Sequence, residues 1–168
     1  SQHPKAYNPI SSGRILDEYQ LVYITEGGGE FTSASLGRAE VSAGTMIMLF
    51  PGEWHTYAPS GHTGWSELWV GFRGRTAEEI VSRGFFSKRE PLHKIGLSAT
   101  VSGLYAELIS HAEKQKSGCQ QLMAGIVQHM LGLIHYKRLN LDRDPTIEKV
   151  DRARIIMRSD IAATLTPE

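Results

Sequence analysis

QLVYITEGGGEF, Gln20 to Phe31, sets two β-prone runs on either side of three consecutive glycines. Leu21 to Thr25 predicts a strand, and Glu30 to Ser33 predicts a second, with Gly27 to Gly29 as the turn between them. Because these glycines join two strands instead of opening a helix, they do not form a phosphate-binding loop. The same rhythm continues outward. Arg38 to Val41, Thr45 to Phe50, Trp54 to Ala58 and Trp65 to Phe72 each read as a strand, separated by SLG, SAG, PG and PSGHTG. Such regular punctuation predicts an antiparallel sandwich or small barrel. Leu92 to Leu97 reads as an extended piece returning to the sheet, and Thr76 with Glu79 forms a capping-box pair for a short helix that Gly84 stops.

After Ser98 the period changes from two to between three and four. Val101, Leu104, Tyr105, Leu108 and Ala112 predict a helix ending near Ser117 and Gly118. A second helix is predicted from Cys119 to Leu139. It carries two apolar rows, one of Cys119, Met123, Ile126, Met130 and Leu133, the other of Leu122, Val127, Leu131 and Ile134. One row suffices to dock a helix. The pair is read either as a wide core-facing surface or as a helix wedged between its own barrel and a partner, with Met123, Ile126, Met130 and Leu133 as the dimerisation row. Leu139 to Pro145 reads as a polar linker, and Thr146 caps a further helix whose face holds Ile147, Val150, Ala153 and Met157. The expected organisation is residues 1–139 as one domain, 140–145 as the linker, and 146–168 as the start of a second domain.

The chain has 168 residues, with eighteen basic and eighteen acidic side chains. A domain that grips a phosphate backbone carries a basic excess, so this balance argues against nucleic-acid binding by the polypeptide alone. The single cysteine, Cys119, forms no internal disulfide and reads as a small buried hydrophobe. No apolar run reaches the roughly eighteen residues of a membrane helix, and the N-terminus has no signal-peptide core. The expected location is the cytoplasm, with no membrane partner.

PGEWHTYAPSGHTGWSELWVGF, Pro51 to Phe72, concentrates two histidines, three tryptophans and two carboxylates. A metal needs three or four converging ligands. With no His-x-His, and with His55 and His62 separated by a turn, no metal ligands and no cofactor are expected. No G-x-S-x-G elbow is present, and Ser66 has no recognisable base, so no catalytic residues are expected either. The strand alternation is more informative: Trp65, Glu67 and Trp69 share one face, while Ser66, Leu68 and Val70 share the other. Two indole faces flanking a carboxylate suit a polyhydroxylated ligand, and His55 with Tyr57 adds donors on the neighbouring strand. The alternative is that the tryptophans fill the interior and Glu67 points to water.

The order QLVYITEGGGEF, then AEVSAGTMIMLFPGEWHTY, then GWSELWVGFRG resembles the N-terminal effector-binding and dimerisation domain of AraC-type transcriptional regulators. The resemblance covers about Arg14 to Leu139. It implies a mainly β fold with α, a cupin-like antiparallel β-barrel (jelly roll) followed by two packed helices. The tail from Thr146 resembles the first helix of that family's C-terminal DNA-binding domain, so DNA is expected as a partner only through that domain. The resemblance implies a small-molecule, sugar-like effector inside the barrel and a homodimer. Matched residue by residue, the effector positions are Arg14, Tyr57, Glu67 and Trp69, to which the strand argument adds His55 and Trp65. Glu67 stands where the arabinose-responsive member has a histidine, so a different effector is expected. Lys5 to Ser12 matches an arm that closes over the pocket in that family. Two rivals use the same residues: a small cupin enzyme such as an isomerase, with His55 and Glu67 as acid and base, and a dimerisation module whose barrel side chains leave no room for a ligand.

Overall fold

The computed structural model describes residues 2–3, as backbone alone, and 13–140. The expected arm at Lys5 to Ser12, the linker beyond Asn140 and the start of a second domain at Thr146 lie outside the described residues. Among the described residues the order is β1 (Gln2–His3), β2 (Arg14–Ile15), β3 (Tyr19–Ser33), β4 (Gly37–Ser42), β5 (Thr45–Leu49), β6 (Trp54–Pro59), β7 (Trp65–Phe72), α1 (Arg75–Ser82), β8 (Leu92–Lys94), α2 (Ala99–Lys114) and α3 (Cys119–Asn140). All strand pairings are antiparallel. The fold is the expected cupin-like jelly roll followed by helices, and its sheet does not close on itself.

The triple glycine does not turn. One continuous strand, β3, runs from Tyr19 to Ser33 straight through it. Its first half pairs with β5 and β7, and its second half pairs with β4 and β6, so β3 passes from one layer of the jelly roll into the other. The glycines permit that crossing by removing β-carbons where backbones converge. A β-carbon on Gly29 would lie 2.1 Å from the carbonyl oxygen of Ala58, and one on Gly28 would lie 2.8 Å from that of Val41. Gly27 adopts a φ of 71°, open to glycine at little cost, beside a register shift between Ile24 and Glu26.

Strand alternation then builds two cores. Val22, Ile24, Ile47, Leu49 and Trp65 of the first layer meet Phe31 and Val41 of the second in a core between the layers. Leu21, Tyr23, Met46 and Met48 point the other way, toward α2 and α3. The uninterrupted apolar run of β5 follows from this arrangement, since both of its faces are covered. Each such side chain contributes about 1.5–3 kcal/mol on burial.

The short helix α1 starts differently from expectation. Gly74 is its N-cap and no side-chain capping bond forms; Thr76 lies inside the first turn, so the capping box with Glu79 is absent. Gly84, at φ 81°, does end it, its N–H bonding to the carbonyl of Val81. Ser98 caps α2, accepting the N–H of Val101. On α3 the expected dimerisation row needs correction. Ile126 and Met130, the latter 1% exposed, are buried in the subunit's own core, with Met123 and Leu133 packed against it. Ile126 and Met130 thus face the subunit's own core, while Met123 and Leu133 are partly buried at its margin. Among the described residues no helix is long and apolar enough to cross a membrane.

Candidate functional site

The space between the two layers receives a polar wall from β2, β6 and β7. Register places it there. Arg14 lies directly opposite His55 on the β2–β6 pair, and Ser33 and Phe31 lie opposite His55 and Tyr57 on the β3–β6 pair. The alternate residues, Ile15 and Trp54, point outward and are exposed. The close approach of β2 depends on Gly13, at φ 67°, where a β-carbon would meet the Trp54 indole at 2.5 Å.

Arg14 organises the cluster. Its Nη2 donates to the Tyr57 hydroxyl at 2.8 Å, its Nε donates to His55 Nε2 at 3.4 Å, and its guanidinium carbon lies 5.4 Å from the Tyr57 ring centre. The His55 and Tyr57 rings run nearly parallel at 6.3 Å, and Tyr57 meets the Trp65 ring at 5.9 Å. His55 Nδ1 is 3.0 Å from the Glu53 carbonyl, which can only accept, so Nδ1 carries the proton and Nε2 is left to accept from Arg14. Burial depresses the pKa of this imidazole, and the positive charge of Arg14 lowers it further, against the opposing pull of the Glu53 carbonyl. His55, only 1% exposed, is therefore neutral at pH 7.

Two further members come from β7. Trp65 and Glu67, each 4% exposed, sit on the inward face, opposite Gly27 and Ile24 of β3. Among the described residues the buried indole N–H of Trp65 has no hydrogen-bond acceptor. Such a donor costs on the order of 1–3 kcal/mol unless something accepts from it. Trp69 has the same parity, opposite Val22, yet is 53% exposed. Among the described residues the strand alongside explains the difference: β1 pairs with Ser66 and Trp65, and no described strand pairs with β7 on that side at Trp69.

The structure thus brings together Arg14, His55, Tyr57 and Trp65 by direct contact, places Glu67 beside Trp65 on the same enclosed face, and leaves Trp69 at the rim. Sequence reasoning missed Ser33 and Phe31 as members of this wall. Reading the triple glycine as a turn hid the pairing of β3 with β6, the one signal that would have found them. The arrangement offers cationic, anionic and hydroxyl groups next to aromatic faces, a chemistry suited to binding. It does not resemble a metal centre, since His55 Nε2 already faces a cation, and among the described residues no three His, Cys, Asp or Glu side chains cluster.

No curated protein matches the chain. The family model described as AraC-like ligand binding domain matches residues 12–127, which include every strand from β2 to β8 and α2. The chain belongs to the AraC-like ligand binding domains, the ligand-sensing part of AraC-type transcription regulators.

Proposed function

We propose that this domain senses a small polyhydroxylated, carbohydrate-like effector held between the two layers, on a wall of Arg14, His55, Tyr57, Trp65 and Glu67 with Trp69 at its rim. The observation that carries the reading is the Trp65 indole N–H, buried and without an acceptor among the described residues, beside the Arg14–Tyr57 pair. A hydroxyl-rich ligand fits these groups because it donates to a carboxylate, accepts from an indole or guanidinium, and lays its C–H face on an aromatic ring. A thermal-shift screen of mono- and oligosaccharides tests it. A sugar at one hundred times its dissociation constant adds about 2.7 kcal/mol of stability; failure of every sugar to shift the melting temperature would overturn the carbohydrate assignment.

We further propose that α3 joins two copies of the domain, through a face other than the expected row. Leu122, Gly125, His129, Gly132, Tyr136 and Leu139 are all exposed and recur at spacings of three and four, the pattern of a helix seam. The two glycines let a partner helix approach closely. Effector binding then shifts a population between arrangements of the paired domains. Residues 140–168 act in this reading as a linker and the start of a DNA-binding domain, and the regulator works in the cytoplasm.

A further inference from the structure

A cavity lies mainly on the opposite side of the first sheet layer from the polar wall, meeting the wall's rim at Trp69. It is a cleft of about 760 Å³ between the end of β7, the start of α1 and the paired helices α2 and α3. Its volume falls within the range of small-molecule sites. Val70, Phe72, Leu108, Met123, Val127 and Leu131 give it an apolar floor. The charged residues lining it are Arg73 and Arg75, both cationic, and no Asp or Glu lines it. Arg73 is paired with Asp17, whereas Arg75 forms no ion pair among the described residues and is exposed. Arg75 also opens α1, whose N-cap Gly74 supplies no side-chain capping bond; residues Gly74 to Ala77 of this helix start line the same mouth, and Glu78 is the acidic residue of its first turn.

We propose that this cleft binds a small apolar molecule bearing one anionic group, its body on the floor beneath α2 and α3 and its charge at Arg75. Charge complementarity selects this occupant: a neutral lipid leaves Arg75 and the uncapped helix start unused, and a cation is repelled by both. Trp69, at the rim of the carbohydrate wall, also lines the edge of this cleft, but Arg14, His55, Tyr57, Trp65 and Glu67 do not, so the proposal does not depend on that reading.

Two fluorescent probes of similar aromatic body test it on the whole chain: the anionic 1-anilinonaphthalene-8-sulfonate and the uncharged N-phenyl-1-naphthylamine. The sulfonate should bind saturably, and more tightly than the neutral probe. Arg75→Glu should weaken the sulfonate about tenfold, the scale of one lost charge-assisted contact, and leave the neutral probe unchanged, which also reports an intact fold. Ala112→Trp and Gln128→Trp, at exposed positions lining the cleft, should each remove binding of both probes, whereas Glu67→Gln should alter neither. Loss of sulfonate binding in Glu67→Gln with retention in both tryptophan variants would overturn the site by placing the probe between the layers. Binding seen only in a monomeric Leu122→Lys variant would also overturn it, by showing that a second copy covers the cleft.

Discussion

The hydroxyl of Tyr23 accepts the backbone N–H of Ser98 at 2.8 Å and donates to the carbonyl of Gly96 at the same distance, pinning the central strand to the residue that caps α2. Ser98 is fully buried, so its N–H has no water to turn to. Tyr23→Phe keeps the ring and strands both groups. We expect a loss of about 2–4 kcal/mol in urea denaturation, with the wall between the layers unchanged.

Arg14 connects Tyr57 to His55. Arg14→Met keeps an apolar stem and removes every donor. Effector affinity, measured by titration calorimetry with whichever sugar the screen returns, should fall roughly 10- to 100-fold, the scale of one or two hydrogen bonds to a charged group. Unchanged affinity would remove Arg14 from the site.

His93 should make stability depend on acidity. It is buried next to the edge of Phe86, and its pKa falls from 6.5 to about 4, chiefly through burial, with Arg138 and His135 adding repulsion. The unfolded chain takes up this proton near pH 6.5 while the folded one resists until about 4, so the stability is complete above 6.5 and declines as pH falls across that window. The total is on the order of 3 kcal/mol. In denaturation at pH 7 and 4.5, His93→Leu should narrow the gap between the two conditions.

Gly29→Ala should force β3 and β6 apart, because the added carbon meets the Ala58 carbonyl oxygen at 2.1 Å. The expected cost is roughly 2–4 kcal/mol. Gly61→Ala, where nothing lies within 4 Å, is the control and should change stability by less than about 0.5 kcal/mol.

The proposed helix seam predicts a change of mass. Leu122→Lys with Tyr136→Lys should convert a dimer to a monomer in light scattering, without lowering the melting temperature of the isolated subunit. Ile126→Lys should instead unfold the domain, since that side chain belongs to the core.

Much of this architecture is legible from residue order, and the misreadings have physical causes. Alternation along β7 put Trp65 and Glu67 on one face, because a pleated strand leaves no other choice, and the burial of both shows that this face is the inner one. It could not separate Trp69 from them, since exposure at an edge depends on how far the neighbouring strand extends. The period of α3 was plain. Which of its stripes faces outward was not, because residues of two adjacent apolar rows pack inward against α2 and β8, and the exposed stripe contains glycines and a histidine that carry no apolar signal. Glycine itself was the hardest residue to read. Three in a row look like a turn, yet here they mark a place where three backbones press together.

That crowded crossing has a mechanical corollary. One ribbon carries Tyr23 at its front and Phe31 at its rear, so the leaf touching the helices and the leaf holding His55 share a spine that is continuous through Gly27 to Gly29. The same ribbon is held by three neighbouring backbones at its middle and by the α2 cap at its front, so both leaves and the helical layer share one continuous backbone support.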